Sequence, residues 1–96
     1  MTVQWLAEAL LNLADILDTV AEESPQGAEM LAAEFQSKTA QLETHPKLYK
    51  AGRVRGTREC VATENYLLVY RLEGDDVHIL RVLHTRRQWP SSPKKR

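Results

Sequence analysis

The order of apolar and polar positions divides the chain into six elements. Thr2-Val3-Gln4-Trp5 alternates polar and apolar residues, the period-two signature of a short strand. From Leu6 the period lengthens. Leu6, Leu10, Leu13, Ile16, Leu17 and Val20 fall on one helical stripe, with Glu8, Asp15, Asp18 and Glu22 off it. This helix is expected to stop near Glu23. Ser24-Pro25 then reads as an N-cap followed by proline at the first helical position, where a missing N–H costs nothing. Ala28, Leu31, Phe35, Thr39 and Leu42 carry the helical spacing on to about Glu43. His45-Pro46 closes it, because the residue before a proline disfavours helical backbone angles. Two helices joined by so short a break fold back as an antiparallel hairpin.

The second half has a different period. Gly52 and Gly56 bracket an arginine-rich loop, where glycine gives the backbone a positive φ or a sharp turn. Thr57 to Thr63 is expected as a strand. Tyr66 to Leu72 is rich in β-formers and apolar on both faces, the pattern of a covered central strand. Glu73-Gly74-Asp75-Asp76 is hairpin-turn chemistry, and Val77 to His84 is a further strand. The predicted order is β-α-α-β-β-β, an α+β fold whose N-terminal helical hairpin packs on a mainly antiparallel sheet. The other sheet face is expected to gather aromatic and basic side chains. Residues 1–90 read as a single domain, and 91–96 as a frayed basic tail.

Composition adds one thing that the pattern hides. The chain is formally neutral, with 13 basic and 13 acidic residues. Residues 1–46 hold eight acids and one base, a net of −7, and residues 47–96 hold twelve bases and five acids, a net of +7. Such polarity points to a polyanion or an acidic partner meeting one half only. No basic leader precedes an apolar core at the N-terminus, and no apolar run approaches the ~20 residues that cross a bilayer. These features read as a cytoplasmic protein with no membrane contact. The lone Cys60 cannot form an internal disulfide and reads as a small buried residue in a reducing compartment.

The candidate chemistry lies in the basic half. Arg53, Arg55 and Arg58 are closely spaced, and Arg81, Arg86 and Arg87 sit on the last strand and its exit. Guanidinium groups present paired donors that suit phosphate or carboxylate. The two groups are expected to converge as a target- or partner-binding surface, with Trp89 either stacking on a base or filling a cleft. The competing reading of each arginine is a solvated residue paired with the acidic helices. His84 ends the last strand and is either hydrogen-bonded to backbone or a proton donor, with Arg58, Arg86 and Arg87 as charge partners. His78 alternates onto the same face as His84, six residues and roughly 20 Å away. No His, Cys and acid spacing matches a metal site, and no glycine-rich phosphate motif follows a strand, so neither a metal nor a cofactor is expected.

Several blocks together carry a resemblance: His45-Pro46, Gly52-Arg53-Val54 with Gly56-Thr57-Arg58-Glu59, Asn65-Tyr66 with Val69-Tyr70-Arg71, and Ile79-Leu80-Arg81-Val82-Leu83-His84 with Arg87 and Trp89-Pro90. In this order, over residues 2–90, they resemble the RelE/ParE superfamily of toxins from type II toxin–antitoxin modules. The resemblance implies a growth inhibitor, and a cognate antitoxin whose acidic, partly disordered segment covers the active surface. It implies a homodimer or a heterotetramer with the antitoxin. RelE-like members cut mRNA in the ribosome with scattered basic residues and a C-terminal tyrosine; ParE-like members share the fold but poison DNA gyrase. Arg58 falls where a RelE-like basic residue is expected. Leu67 stands where those nucleases usually carry arginine, and Trp89 falls near the tyrosine position. Leucine cannot hold a phosphorane and tryptophan has no hydroxyl to ionise, so the resemblance is closer to the ParE side, with a ribosome-dependent mRNA endoribonuclease as the alternative.

Overall fold

A computed structural model describes residues 2–86. Six elements follow in the expected order: β1 (Thr2–Trp5), α1 (Ala7–Glu23), α2 (Pro25–Thr44), β2 (Arg58–Val61), β3 (Tyr66–Glu73) and β4 (Asp76–His84). The four strands form one sheet in the order β1-β4-β3-β2. β1 runs parallel to β4, and the other pairs are antiparallel. The fold is α+β, with the helical hairpin on one sheet face. Arg87, Trp89 and the tail at 91–96 lie outside the described residues.

The helix boundaries follow from local chemistry. The Ser24 Oγ accepts the Gly27 N–H at 2.9 Å, while Pro25 occupies the first turn of α2. The same serine donates its own N–H to the Val20 carbonyl and so ends α1. One residue thus terminates one helix and caps the next. The stripe of α1 is shifted from the expected one. Ala9 is fully buried, whereas Leu10 is half exposed.

The main core lies between helices and sheet. Phe35, Leu42, Cys60, Leu68, Tyr70, Val77, Ile79 and Val82 are buried in it, with Val3, Trp5, Leu13, Ile16 and Leu31 packed around. Burying a side chain such as Leu42 or Phe35 contributes about 1.5–3 kcal/mol. The opposite sheet face is not the aromatic and basic surface expected. It carries a second apolar cluster of Leu67, Val69 and Leu83, with Leu80 beside it. β3 is therefore covered on both faces, as its unbroken apolar run requires.

β4 contains an irregularity that alternation could not reveal. Val69 pairs with Arg81, but Tyr70 pairs with Ile79, so Leu80 is an extra residue. Such a bulge exchanges the faces beyond it. Val77 and Ile79 point to the helices before it, and Val82 does so after it. His84 consequently faces α1 and His78 faces the other way; the two histidines do not share a face.

β1 pairs only with residues 76–79 of β4. Beyond that point α1 takes over. The Leu6 N–H donates to the Ile79 carbonyl at 3.0 Å, and the Asn12 Oδ1 accepts the Val82 N–H at 3.1 Å. A side chain of α1 thus continues the ladder where the strand ends. Leaving a buried backbone donor unmet costs about 1–3 kcal/mol. Asn12→Leu is expected to lower unfolding free energy by about that amount; Asn12→Asp, which keeps the acceptor, is expected to lose less, as read by urea denaturation.

Candidate functional site

The connection between α2 and β2, residues 45–57, holds Arg53 and Arg55 and leads directly into Arg58. It lacks helix or strand, yet it is densely cross-linked. The Tyr70 hydroxyl donates to the Pro46 carbonyl at 2.7 Å. The Tyr49 hydroxyl donates to the Gln41 Oε1 of α2 at 2.9 Å. Ala51 bridges Arg58, and the Gly52 N–H donates to the Thr57 carbonyl at 2.7 Å, so the loop closes part of the outer edge of β2. Gly52 is required by close approach: a Cβ there would stand 2.5 Å from the Thr57 Oγ1. Gly56 is required by its backbone, at φ +84°.

Two of the arginines are internal fasteners. Arg53 meets Glu59 through both ends of its guanidinium, Nε to Oε2 at 2.9 Å and Nη2 to Oε1 at 3.0 Å, and its own N–H donates to Oε2 at 3.1 Å. This hydrogen bonding from Arg53 holds the Glu59 carboxyl below the usual carboxylate range. Arg58 turns back on the loop. Its Nη1 donates to the Tyr49 carbonyl at 2.7 Å and, at 3.5 Å, to the Lys47 carbonyl. Arg55 and Arg86 have no side-chain partner among the described residues. Arg81 meets Glu8 of α1 at 3.0 Å, the one helix-directed ion pair of a candidate arginine among them.

Under the loop lies a group of weakly acidic side chains held neutral. Burial pushes the Tyr49 and Tyr70 phenols up to about 12. Burial also raises the Cys60 thiol, which is fully enclosed. A protonated, enclosed thiol is a poor nucleophile. Cys60 is a core residue, in keeping with its sequence context.

His84 sits at the far end of the sheet. Its Nδ1 accepts the Arg86 N–H at 3.1 Å, and its ring meets Tyr66 edge-on at a centroid distance of 5.4 Å. Accepting that N–H requires a lone pair on Nδ1, so the proton of the neutral ring is on Nε2. His84 lines a shallow hollow of about 270 Å³ with Asn12, Asp15, Ile16, Thr19, Tyr66 and Val82.

Arg58 and the strand exit at His84 and Arg86 do not converge, whereas Arg81 is level with Glu59 across β3. β2 runs antiparallel to β3 with Arg58 opposite Tyr70, while His84 is opposite Tyr66. Arg58 and His84 are thus separated by about 13 Å along the strands and two strand spacings of ~4.8 Å across them. The loop lies at the hairpin-turn end of the sheet, beside Leu72, and Arg86 leaves from the other end. β2 and β4 both run antiparallel to β3, so the start of β2 and the end of β4 lie at opposite ends of the sheet, and the sequence does not state which strands pair. Sequence reasoning also missed Asn12, Tyr49 and Tyr70 as fasteners.

A family model described as the ParE toxin of the type II toxin–antitoxin system parDE matches residues 3–89. The chain belongs to the ParE toxin family. Relatives of this ParE-family chain carry toxin names. It is 32% identical over 89 residues to the putative toxin Y4kP of Sinorhizobium fredii, covering 92% of each chain. It is 30% identical over 87 residues to toxin RelE2 of Caulobacter vibrioides, covering 88% of this chain and 96% of that one. Its fold is similar to a chain of a chromosomal ParDE toxin–antitoxin system from P. aeruginosa, with a TM-score of 0.70 at 20% identity, over 88% of this chain and 95% of that chain. The protein is therefore a toxin of a type II toxin–antitoxin system, with the RelE/ParE superfamily fold. Among the described residues of this ParE-family toxin no helix is long and apolar enough to span a membrane.

Two outcomes are expected from the loop. Replacing Arg58 by alanine removes a charged hydrogen bond worth about 1.5–3 kcal/mol; thermal unfolding is expected to show that loss. The Arg53–Glu59 pair adds a pH dependence. The folded Glu59 carboxyl is depressed, so its contribution is present above the unfolded pKa and is lost as pH falls through the folded value. Stability measured from pH 6 downward is expected to fall less steeply in Glu59→Gln than in the unaltered protein below ~4.3.

Proposed function

We propose that this toxin inhibits growth by binding and poisoning DNA gyrase, and that a cognate antitoxin with an acidic, partly disordered segment neutralises it. The observation that carries the reading is the disposition of Arg58 and His84. A nuclease that cleaves RNA through the 2′-hydroxyl brings a base, an acid and positive charge to one phosphate. Here the Arg58 guanidinium is spent on the Tyr49 carbonyl, two strands from His84, whose Nδ1 already accepts a backbone N–H. Leu67, at a position where RNA-cleaving members of the superfamily usually carry arginine, is buried in the second apolar cluster. A protein target asks for none of this convergence; it asks for shape and spread charge. The net of +7 in residues 47–96 suits an acidic segment that folds on binding.

The relative named RelE2 keeps ribosome-dependent mRNA cleavage as a second reading. One experiment separates them. Purified toxin is added to gyrase with relaxed plasmid, and in parallel to ribosomes translating a defined mRNA. Lost supercoiling or accumulated linear DNA, with the mRNA intact, is the expected result. Ribosome-dependent cuts at codon positions, with supercoiling unaffected, would reverse the assignment.

A further inference from the structure

The arginine-rich loop divides into residues that face inward and residues that face outward. Arg53 and Arg58 are held by Glu59 and by the Tyr49 and Lys47 carbonyls. Tyr49 turns inward, packing on the core and bonding Gln41, which leaves its neighbours Leu48 and Lys50 outside. Leu48 is 63% exposed, a large apolar side chain in solvent. Lys47, Lys50 and Arg55 are exposed and make no hydrogen bond or ion pair through their side chains among the described residues, although the charge of Lys50 is felt by Glu59. The loop therefore offers three cations, unpaired among the described residues, and one exposed leucine, on a backbone fixed by side-chain and main-chain bonds.

We propose that residues 47–56 are a preorganised docking platform for an extended acidic peptide that carries an apolar side chain, with Lys47, Lys50 and Arg55 taking its carboxylates and Leu48 its apolar group. Arg53 and Arg58 are positioning residues that hold the platform rather than touch the peptide. Three observations select a peptide over a nucleic acid or a strand-adding partner. Single-stranded nucleic acids are held by aromatic platforms, and the aromatic side chain of this loop is turned inward. Leu48 has no use against a phosphate backbone. Strand addition is blocked where Ala51 and Gly52 already pair with Arg58 and Thr57. Recognition then passes through side chains, and a rigid loop loses little entropy on binding. The antitoxin segment proposed above is the natural source of such a peptide; the inference rests on that reading only for the source.

Binding to the intact chain is measured by fluorescence anisotropy with three labelled probes: an Asp/Glu peptide with one central leucine, the same peptide with serine in its place, and an RNA oligonucleotide of equal charge. The leucine peptide is expected to bind tightest. K47E/K50E and R55E should each weaken it by about tenfold. L48A should weaken the leucine peptide by about tenfold and leave the serine peptide unchanged. R53A should weaken both peptides and speed amide exchange at Gly52 and Thr57, with R53K restoring part of each. Circular dichroism confirms that the outward variants remain folded. Tighter binding of RNA, an equal response of both peptides to L48A, or full affinity in folded R55E would overturn the proposal. None of these readouts involves gyrase or growth, so failure here and failure of the gyrase reading are separate results.

Discussion

The central strand must satisfy the hydrogen bonds of both its edges, and the way it does so sets the rest of the fold. β4 lies between β3 and β1, but β1 ends opposite Ile79. A buried strand edge with no partner is costly. The chain turns out of β1 directly into α1, whose first residues and Asn12 take over the ladder. This anchors α1 at a fixed height over β4. The antiparallel hairpin carries that placement to α2, and α2 in turn delivers residues 45–57 to the hairpin-turn end of the sheet. The position of the basic loop is thus a consequence of how one strand edge is closed.

Much of this architecture was legible because it rests on local chemistry. Ser24-Pro25 marks a helix junction whatever surrounds it, and an eight-residue strand apolar on both faces must be covered on both. What was not legible depends on partners distant in sequence. Asn12 looks like a polar residue on a helix surface; only the early end of β1 gives it a backbone N–H to accept. Leu80 is one more apolar residue in an apolar strand, and nothing local marks it as extra. Ala9 takes the core position expected for Leu10, and only the packing of α1 on the sheet decides which of the two faces inward. The basic residues are closely spaced in the sequence, but which of them is taken up by an internal partner was not readable. Arg53 and Arg58 differ from Arg55 only in having Glu59 and a carbonyl within reach.

The charge division of the chain has a structural counterpart that is more economical than simple surface polarity. Eight of the 13 acidic residues are on the helices, where Glu8 reaches across to Arg81. In the loop, two of the positive charges are internal supports. Charged hydrogen bonds are well suited to that task, because a long irregular connection has few backbone bonds of its own and little apolar area to bury. The toxin therefore presents less free positive charge at this end than its sequence implies, and what it does present stands on a fixed backbone.

The extra residue at Leu80 bears on how family members relate to one another. A relative lacking it would keep the counterparts of Val82 and His84 opposite those of Leu68 and Tyr66, and so on the helix side of the sheet. Counting alternate positions along the last strand would then assign the faces correctly in that relative and wrongly in this chain, so an alignment gap at this point marks a kink in the strand and not a change of surface.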